Sequence, residues 1–385
     1  MKEEIAKRKT AINRWIKGEH PERIAKDLGK TKQWIYKWIK RYKEDSSEGW
    51  YESRSTKPKQ VVAKIMPEQE ETIIRLRQEL AGKKYSQIGA ISIQYEFRRL
   101  GLGPPAIWTI NRVLQRNDLI YKSNEKRSKS LPYPELYISC QQMDLVGPRY
   151  LKGGFRFFSL NIIDKETHYA HTHPIKDKSA ESIMEGLVQF WKEFGLPDSI
   201  QMDNELAFRG SNRHPRSLGI ILRFILAQHV VPIFIPNGEP WRNGIIEKFN
   251  DKFNSKFYRI QEFNDFEHLK NEAKVFDDFH NQYHRYSSQN NKTPNEMLNH
   301  CLHKCTIPCS YTLPKKIPLE EGLIIFVRFI RSDLRLSILG SVFTMKKELV
   351  YSYVVAEIII HRHILLIKQD NIIHHIFPFD MPVDW

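Results

Sequence analysis

Three carboxylates stand out from the 45 acidic residues of this 385-residue chain by where they sit. Asp144 lies inside the apolar stretch YISCQQMDLV, Asp203 follows directly on the short run DSIQM, and Glu247 falls one turn into a helix that opens at Asn243-Gly244. An ionised side chain in an apolar strand is costly unless a positive charge answers it. Three carboxylates brought together repel, each pair by roughly 4 kcal/mol at 4 Å and an effective dielectric of 20. Such a cluster therefore calls for cations. All-oxygen donors with room for water suit Mg2+, and two such ions roughly 3.5 to 4 Å apart activate an attacking oxygen and stabilise a leaving one in displacement at phosphorus. Read singly, the three acids are a strand-end residue, a helix cap and a solvated helix residue.

The elements that must position them read as an α/β layer. Strand-like runs cover Tyr137 to Val146, Phe155 to Ile163 and Tyr169 to Ile175. An amphipathic helix from Ser179 to Phe194, closed by Gly195, then leads to the short strand before Asp203. Strands followed by a crossover helix indicate a sheet covered by helices. Asp164 and Asp177 read as turn and helix-entry residues. The helix after Glu247 shows Lys248, Lys252, Lys256 and Arg259 at i, i+4, i+8 and i+11, a cationic stripe fit to grip a phosphate backbone without reading bases, while Phe249, Phe253 and Phe257 keep the same rhythm as core.

Charge is unevenly spread. The chain carries a formal +15, and +14 of it falls in the first 130 residues. A basic front end on a nearly neutral body points to a polyanion, nucleic acid or an acidic membrane. The start MKEEIAKRKTAINR has no apolar h-region, and the apolar run Leu218 to Ala227 is interrupted by Arg223 and far short of the roughly 20 residues a span needs, so a soluble, intracellular protein is expected.

That front end reads as two helix-turn-helix units. In the first, a helix to about Lys17 is followed by one opening at Pro21, a turn at Gly29, and a third helix, Lys32 to Lys43, capped by Thr31. Ile35, Trp38, Ile39 and Tyr42 form its buried stripe. Lys32, Gln33, Tyr36, Lys37 and Lys40 are left on the opposite face, where Lys meets phosphate or guanine and Gln pairs with adenine in a major groove. The second unit has helices Pro67 to Leu80, Tyr85 to Leu100 and Ala106 to Arg116. Ile110, Val113 and Leu114 turn inward, and Thr109, Asn111, Arg112, Gln115 and Arg116 outward as DNA contacts. The C-terminal third, from about Pro314, is a series of short β-rich runs expected to close as a small barrel or sandwich. Arg328, Arg331 and Arg335 are its candidate phosphate contacts. Cys301, Cys305 and Cys309, beside His300 and His303, lack a C-x2-C pair and read as reduced thiols of a linker rather than a zinc site.

The text around the acids carries a further signal. MDLVGP at Asp144, QMDNELAF at Asp203 and IPNGEPWRNGIIEKFN at Glu247, in that order, resemble the three signature blocks of DDE transposases and retroviral-type integrase cores, above all the bacterial insertion-sequence transposases with paired N-terminal helix-turn-helix units. The resemblance spans most of residues 1–285. It implies a multidomain chain: a helix-turn-helix domain with linker over 1–60, a second over 61–122, a linker at 123–136, a ribonuclease H-like α/β core with a mixed sheet over 137–288, a linker at 289–313, and a small all-β barrel over 314–385. It also implies that Asp144, Asp203 and Glu247 hold two Mg2+ ions, with Mn2+ as a substitute. Asn204, Asn243 and Gly244 support that site. No covalent enzyme intermediate forms: water cuts a strand at an element end and the freed 3′-hydroxyl attacks a target phosphodiester.

The partners so implied are double-stranded DNA, at the element's inverted-repeat ends and at the target, and further copies of the chain in a synaptic multimer, with no membrane; the setting is a bacterial cytoplasm, at the nucleoid. Two departures stand out. Glu205 occupies a position where many members carry Gly, and the 44 positions from Asp203 to Glu247 exceed the family's common spacing, the excess falling in the loop Phe208 to Gly219. Two rivals remain: a DNA-binding regulator or domesticated transposase without catalysis, and a hydrolytic nuclease of the same fold that never joins strands.

Overall fold

A computed structural model of the chain describes residues 2–44, 49–53, 65–120, 131–137, 139–210, 214, 216–298 and 306–381. Its contacts divide it into two units, residues 1–64 and 65–385.

The first unit is three helices, α1 (Lys2–Ile16), α2 (Pro21–Asp27) and α3 (Lys32–Glu44). Pro21 occupies the first turn of α2, where its missing N–H costs nothing. Gly29, at φ 63°, reverses the chain, and the Thr31 hydroxyl accepts the Trp34 N–H (3.2 Å) to start α3. The core is Ala11, Ile12, Ile24, Ala25, Ile35, Trp38 and Ile39, with Tyr42 half-buried against Trp50. The apolar spacing on α3 thus faces inward as its period requires.

The second unit begins with α4 (Pro67–Gly82), α5 (Ala90–Arg99) and α6 (Ile107–Arg116). They close on Ile73, Leu76, Leu80, Ile93, Phe97, Ile110, Val113 and Leu114. The middle helix is shorter than its sequence suggests, because Tyr85 adopts φ 63° and leaves the helical path. Its ring packs instead among Phe257, Phe276 and Phe279 of the following core. Lys84 pairs with Glu272 (2.5 Å), and the Gln87 side chain bonds the backbone of Arg285. Tertiary packing of one aromatic outweighs a turn and a half of helix propensity.

The core is built on one nine-stranded mixed sheet. In chain order it comprises β1 (Cys140–Tyr150), β2 (Arg156–Asp164), β3 (Ala170–Ile175), α7 (Ala180–Glu193), β4 (Ser199–Met202), α8 (Leu206–Arg209), α9 (Ile220–Ala227), β5 (Val231–Phe234), α10 (Gly244–Lys252), α11 (Phe266–Tyr283), α12 (Pro294–Leu298), β6 (Leu323–Phe329), β7 (Arg335–Ile338), β8 (Ser341–Thr344), β9 (Tyr353–Ile359), β10 (Ile364–Gln369) and β11 (Ile372–Pro378). The strand order is β11-β10-β9-β6-β5-β4-β1-β2-β3. The β1–β2–β3 meander is antiparallel, and β4, β5 and β6 run parallel to β1. One hydrophobic cluster joins the sheet to α7 and α9, and a second gathers Phe249, Phe253, Phe257 and Phe276 of the α10 and α11 side. Helix α7 starts where Ser179 accepts the Ser182 N–H (3.3 Å) and ends before Gly195 at φ 109°.

The C-terminal strands differ from the expectation of a small barrel set apart from the core. Strand β6 pairs with β5 through Ile233–Ile325 and Phe234–Phe326, and β9, β10 and β11 then extend the same sheet. The four-residue β5 would otherwise expose unpaired N–H and C=O groups at an edge. Stacking of Phe234 on Phe326 (4.9 Å) and burial of Ile233, Ile325 and Val327 make the junction. Among the described residues, β7 and β8 alone form a separate hairpin. No helix among the described residues is long and apolar enough to cross a membrane.

Candidate active site

Strands β1 and β4 pair in parallel with a constant offset, Cys140 with Ser199, Gln141 with Ile200 and Gln142 with Gln201. Continued by two residues, that offset sets Asp203 beside Asp144, on strands about 4.8 Å apart. Residues two apart share a face of a strand, so Gln142, Asp144, Gln201 and Asp203 all belong to one face. The repeated tripeptide Gln-Met-Asp, at 142–144 and 201–203, is the sequence trace of this arrangement.

The two glutamines hold the third acid's helix. Gln142 Oε1 accepts the backbone N–H of Ile246 (3.0 Å). Gln201 Nε2 donates to Asn243 Oδ1 (2.7 Å) and to the Arg242 carbonyl (3.0 Å). A 3-10 turn, Pro240–Asn243, and the start of α10 are thereby fixed to the strands that carry Asp144 and Asp203. Asn243 is buried at this junction; Gly244 has ordinary helical φ, and a Cβ there would meet nothing. Glu247 follows one turn later with an exposed side chain.

Asp144 is oriented from the other side. Asn250 Nδ2 donates to Asp144 Oδ2 (2.6 Å), Asn161 Nδ2 to Asn250 Oδ1 (2.7 Å), and the Ser159 hydroxyl to Asn161 Oδ1 (2.7 Å). This buried amide relay went unseen in the sequence, where only the spacing of Asn250 three after Glu247, one helical turn, hinted at it. Asp203 Oδ1 accepts the Glu205 N–H (2.9 Å), a local turn that aims the carboxylate. Asn204 donates to the Ile235 carbonyl (2.7 Å) and accepts from Arg328 Nη2 (2.7 Å). Glu205, the extra acid beside the site, is paired with Lys178. The insertion after Asp203 pinches shut at its base: a Cβ on Gly210, at φ 97°, would lie 2.8 Å from the Gly219 nitrogen. The chain leaves and returns at one place, so the long interval does not displace Glu247.

Electrostatics mark these acids as a coupled group. Burial, then the charges of Asp203, Glu247 and Glu205, push the Asp144 carboxyl up to about 6. Asp203 is raised by burial and by Glu205, and Glu247 by burial, Asp251 and Asp203. Among the described residues none of the three forms an ion pair, and no three acid, His or Cys side chains gather closely enough to enclose a cation. Asp144 and Asp203 lie on neighbouring strands, and Glu247 is near enough for its charge to raise Asp144. The donor chemistry nonetheless fits Mg2+: the acids offer oxygen alone, and their raised pKa values record negative charge that a hard cation would balance.

The expected cationic stripe does not form a single line. After Lys252 the helix passes into a π-turn, Phe253–Tyr258, which shifts the following side chains around the axis. Lys248 and Arg259 are exposed. Lys252 instead contacts His284 Nε2 (2.5 Å) and the Tyr286 hydroxyl (3.3 Å), and burial with neighbouring cations pushes it down to about 7. Lys256 donates to the Ser86 carbonyl (2.5 Å). Lys256 thereby ties the α4–α5 connection to the core, while Lys252 is held within it.

On α3, Lys32, Gln33, Tyr36, Lys37 and Lys40 are all exposed, with Lys32 paired to Glu22 and Lys40 4.0 Å from Glu44. On α6, Asn111, Arg112 and Gln115 are exposed and Thr109 is half-buried, whereas Arg116 is drawn onto Glu70 of α4 (Nε–Oε1 2.7 Å). Arg328 is no surface cation: its guanidinium is buried on the carbonyls of Ile235 (2.9 Å) and Val327 (2.9 Å) as well as Asn204, while Arg331 and Arg335 are exposed. Asp164 caps its turn through the Thr167 N–H (2.7 Å), and Asp177 bonds the Ser179 N–H (2.9 Å) at a helix entry. Cys301, Cys305, His300 and His303 lie outside the described residues, and Cys309 is an exposed free thiol.

A trihelical first unit and an α/β core with one acid within β1 and another just past the end of the neighbouring β4 are the features that comparison with known proteins then bears on. Residues 2–51 match the family model of a homeodomain-like domain, and residues 228–294 match that of an integrase core domain. A comparison with curated protein sequences found no match. Among solved structures, the chain is similar to the HTLV-2 integrase catalytic core domain in complex with magnesium, at 16% identity and a TM-score of 0.31, over 42% of this chain and 97% of that one. It is also similar to a chain of the simian T-cell lymphotropic virus intasome in complex with PP2A regulatory subunit B56 gamma, at 13% identity and a TM-score of 0.34, over 75% of this chain and 92% of that one.

Proposed function

We propose that the chain is a DNA transposase of ribonuclease H-like core, with Asp144, Asp203 and Glu247 as its catalytic acids. The observation that carries the reading is the clamp: the strands bearing Asp144 and Asp203 also bear, two residues earlier, the glutamines that pin the helix of Glu247. Three acids far apart in sequence are held to one frame without touching one another.

The three acids would hold Mg2+, and the bound metal would supply charge neutralisation and activation at phosphorus. The chain's own contribution is positional. Asn250 fixes the rotamer of Asp144, the Glu205 N–H that of Asp203, and Gln142 with Gln201 the angle at which Glu247 enters. Lys248, exposed beside Glu247, is placed to meet a phosphate of the reacting strand. The α3 face of Lys32, Gln33, Tyr36, Lys37 and Lys40 supplies duplex binding, and Asn111, Arg112 and Gln115 of α6 add a second set of contacts. The reaction class is strand cleavage at an element end followed by attack of the freed 3′-hydroxyl on a second phosphodiester. Bringing two ends together requires at least two copies of the chain. The C-terminal strands act as an extension of the core, with Arg331 and Arg335 as their phosphate contacts.

Purified protein, Mg2+, a labelled element end and a target plasmid test the reading. Joined product is expected. Asp144→Ala, Asp203→Ala and Glu247→Ala should each abolish cleavage and joining while end binding persists. Cleavage without joining would favour a nuclease, and specific binding without cleavage a regulator.

A further inference from the structure

A cavity of about 630 Å³ opens beside Glu247 and Lys248, lined by Tyr137, Trp241, Gln142 and Gln201 among others. Its volume is that of a small-molecule site. Trp241 stands at it with its indole 60% exposed, and among the described residues it packs against no other ring. An aromatic side chain that large usually buries its area, and its exposure next to a candidate reaction centre leaves a free π-face.

The polar lining is more specific. Gln142 and Gln201 are both more than nine-tenths buried. Gln142 has spent its carbonyl oxygen on the Ile246 N–H, and Gln201 its amide nitrogen on Asn243 and Arg242. The amide nitrogen of Gln142, with both its N–H groups, and the amide oxygen of Gln201 remain, on adjacent paired strands, with no partner among the described residues. A side-by-side donor and acceptor is the pattern that the hydrogen-bonding edge of a nucleobase answers, as it does when a single Gln or Asn pairs with adenine. The buried Tyr133 hydroxyl, also on the cavity wall, has no partner either. Three basic and three acidic side chains line the space, so their formal charges cancel. The interior suits a neutral, planar heterocycle better than a phosphate.

We propose that this cavity captures one unpaired nucleobase of the DNA strand lying at Glu247, stacked on Trp241 and read by the free amide groups of Gln142 and Gln201. The proposal rests on the strand-processing reading above and deepens it. A duplex base must first be unstacked to enter, whereas a base already single-stranded enters without that cost, so the site favours frayed or tailed ends. Held there, the base would keep the strand's backbone against Glu247 and Lys248.

The probe is a labelled 30-base-pair duplex, blunt or with a four-nucleotide single-stranded tail, titrated by fluorescence anisotropy without divalent metal so that no strand is cut. The wild-type chain should bind the tailed duplex about tenfold more tightly than the blunt one, the factor expected of one stacked base. A tail of the same length with abasic sugars should bind no better than the blunt end. Trp241→Ala should reduce the tailed duplex to the blunt affinity, and Trp241→Phe should keep most of the preference. Equal affinity for basic and abasic tails in the wild type, an arm that needs no variant, would overturn the pocket while leaving the transposase reading intact. So would an undiminished preference in Trp241→Ala that melts like wild type. Failure to bind any duplex would overturn both.

Discussion

Asp144→Asn tests the electrostatics of the site without asking for activity. Burial and the charges of Asp203 and Glu247 lift the Asp144 carboxyl from 3.8 to about 6. The folded chain therefore binds a proton there that the unfolded chain has already released, across the window from about pH 4 to about pH 6. Stability falls as pH rises through that window and stays reduced above it. A shift of that size corresponds to roughly 3 kcal/mol well above pH 6, at about 1.4 kcal/mol per unit. The amide that replaces the carboxylate carries no charge to desolvate, and its oxygen still accepts from Asn250. The variant is thus expected to be more stable than wild type by up to about 3 kcal/mol at pH 8 in chelator, and by about half that at pH 5. Urea unfolding at the two pH values measures it. Added Mg2+ should narrow the gap at pH 8, because ligand binding to the folded wild type adds stability that the variant gains less of. An Asp144→Asn chain less stable than wild type at pH 8, or a difference indifferent to pH, would refute the claim that this carboxylate is held under uncompensated negative charge.

Asn250→Ala should leave the fold intact and lower strand cleavage by about 10- to 100-fold, the loss usual when a group that orients a metal-binding carboxylate is removed, as measured by single-turnover cleavage. Joint replacement of Gln142 and Gln201 by Ala frees the start of α10 and should cost about 1 to 3 kcal/mol in chemical denaturation, since buried partners are left unsatisfied. For Lys252, whose folded pKa is depressed to about 7, the unfolded chain holds the proton more tightly, so stability rises with pH from about 7 to about 10.5; Lys252→Met should flatten that rise and stabilise the chain at pH 7 in thermal melts. Lys37→Ala on α3 should weaken DNA binding at all sequences and reduce the slope of log K against log salt by about 1.

Much of the frame was legible because local periodicity decides it. The stripe Ile35, Trp38 and Ile39, the strand before Asp203 and the helix opening at Gly244 all follow from residue spacing and caps. What escaped depends on partners distant in the chain. Tyr85 reads as helical and is pulled out by Phe276, about 190 residues on in the sequence. Lys252 and Lys256 read as part of a phosphate-gripping stripe because a helical wheel cannot see the residues docked against it, His284 and Tyr286 for the first and Ser86 for the second. The C-terminal runs read as strands correctly, but strand sequences do not say whether they close on themselves or join an existing edge, and β5 offered one. Gln142 and Gln201 carry no signal of their own in the sequence; only the register of β1 with β4 shows them as a pair.

The pinch at Gly210 and Gly219 has a practical corollary. Because the two backbones touch at the neck of that excursion, the return of the chain to the buried Leu218 and on into α9 is set by that contact rather than by the number of residues between. A side chain at either glycine would wedge that neck apart, so one added methyl group at position 210 should loosen the seat of Leu218 and with it the approach to α9.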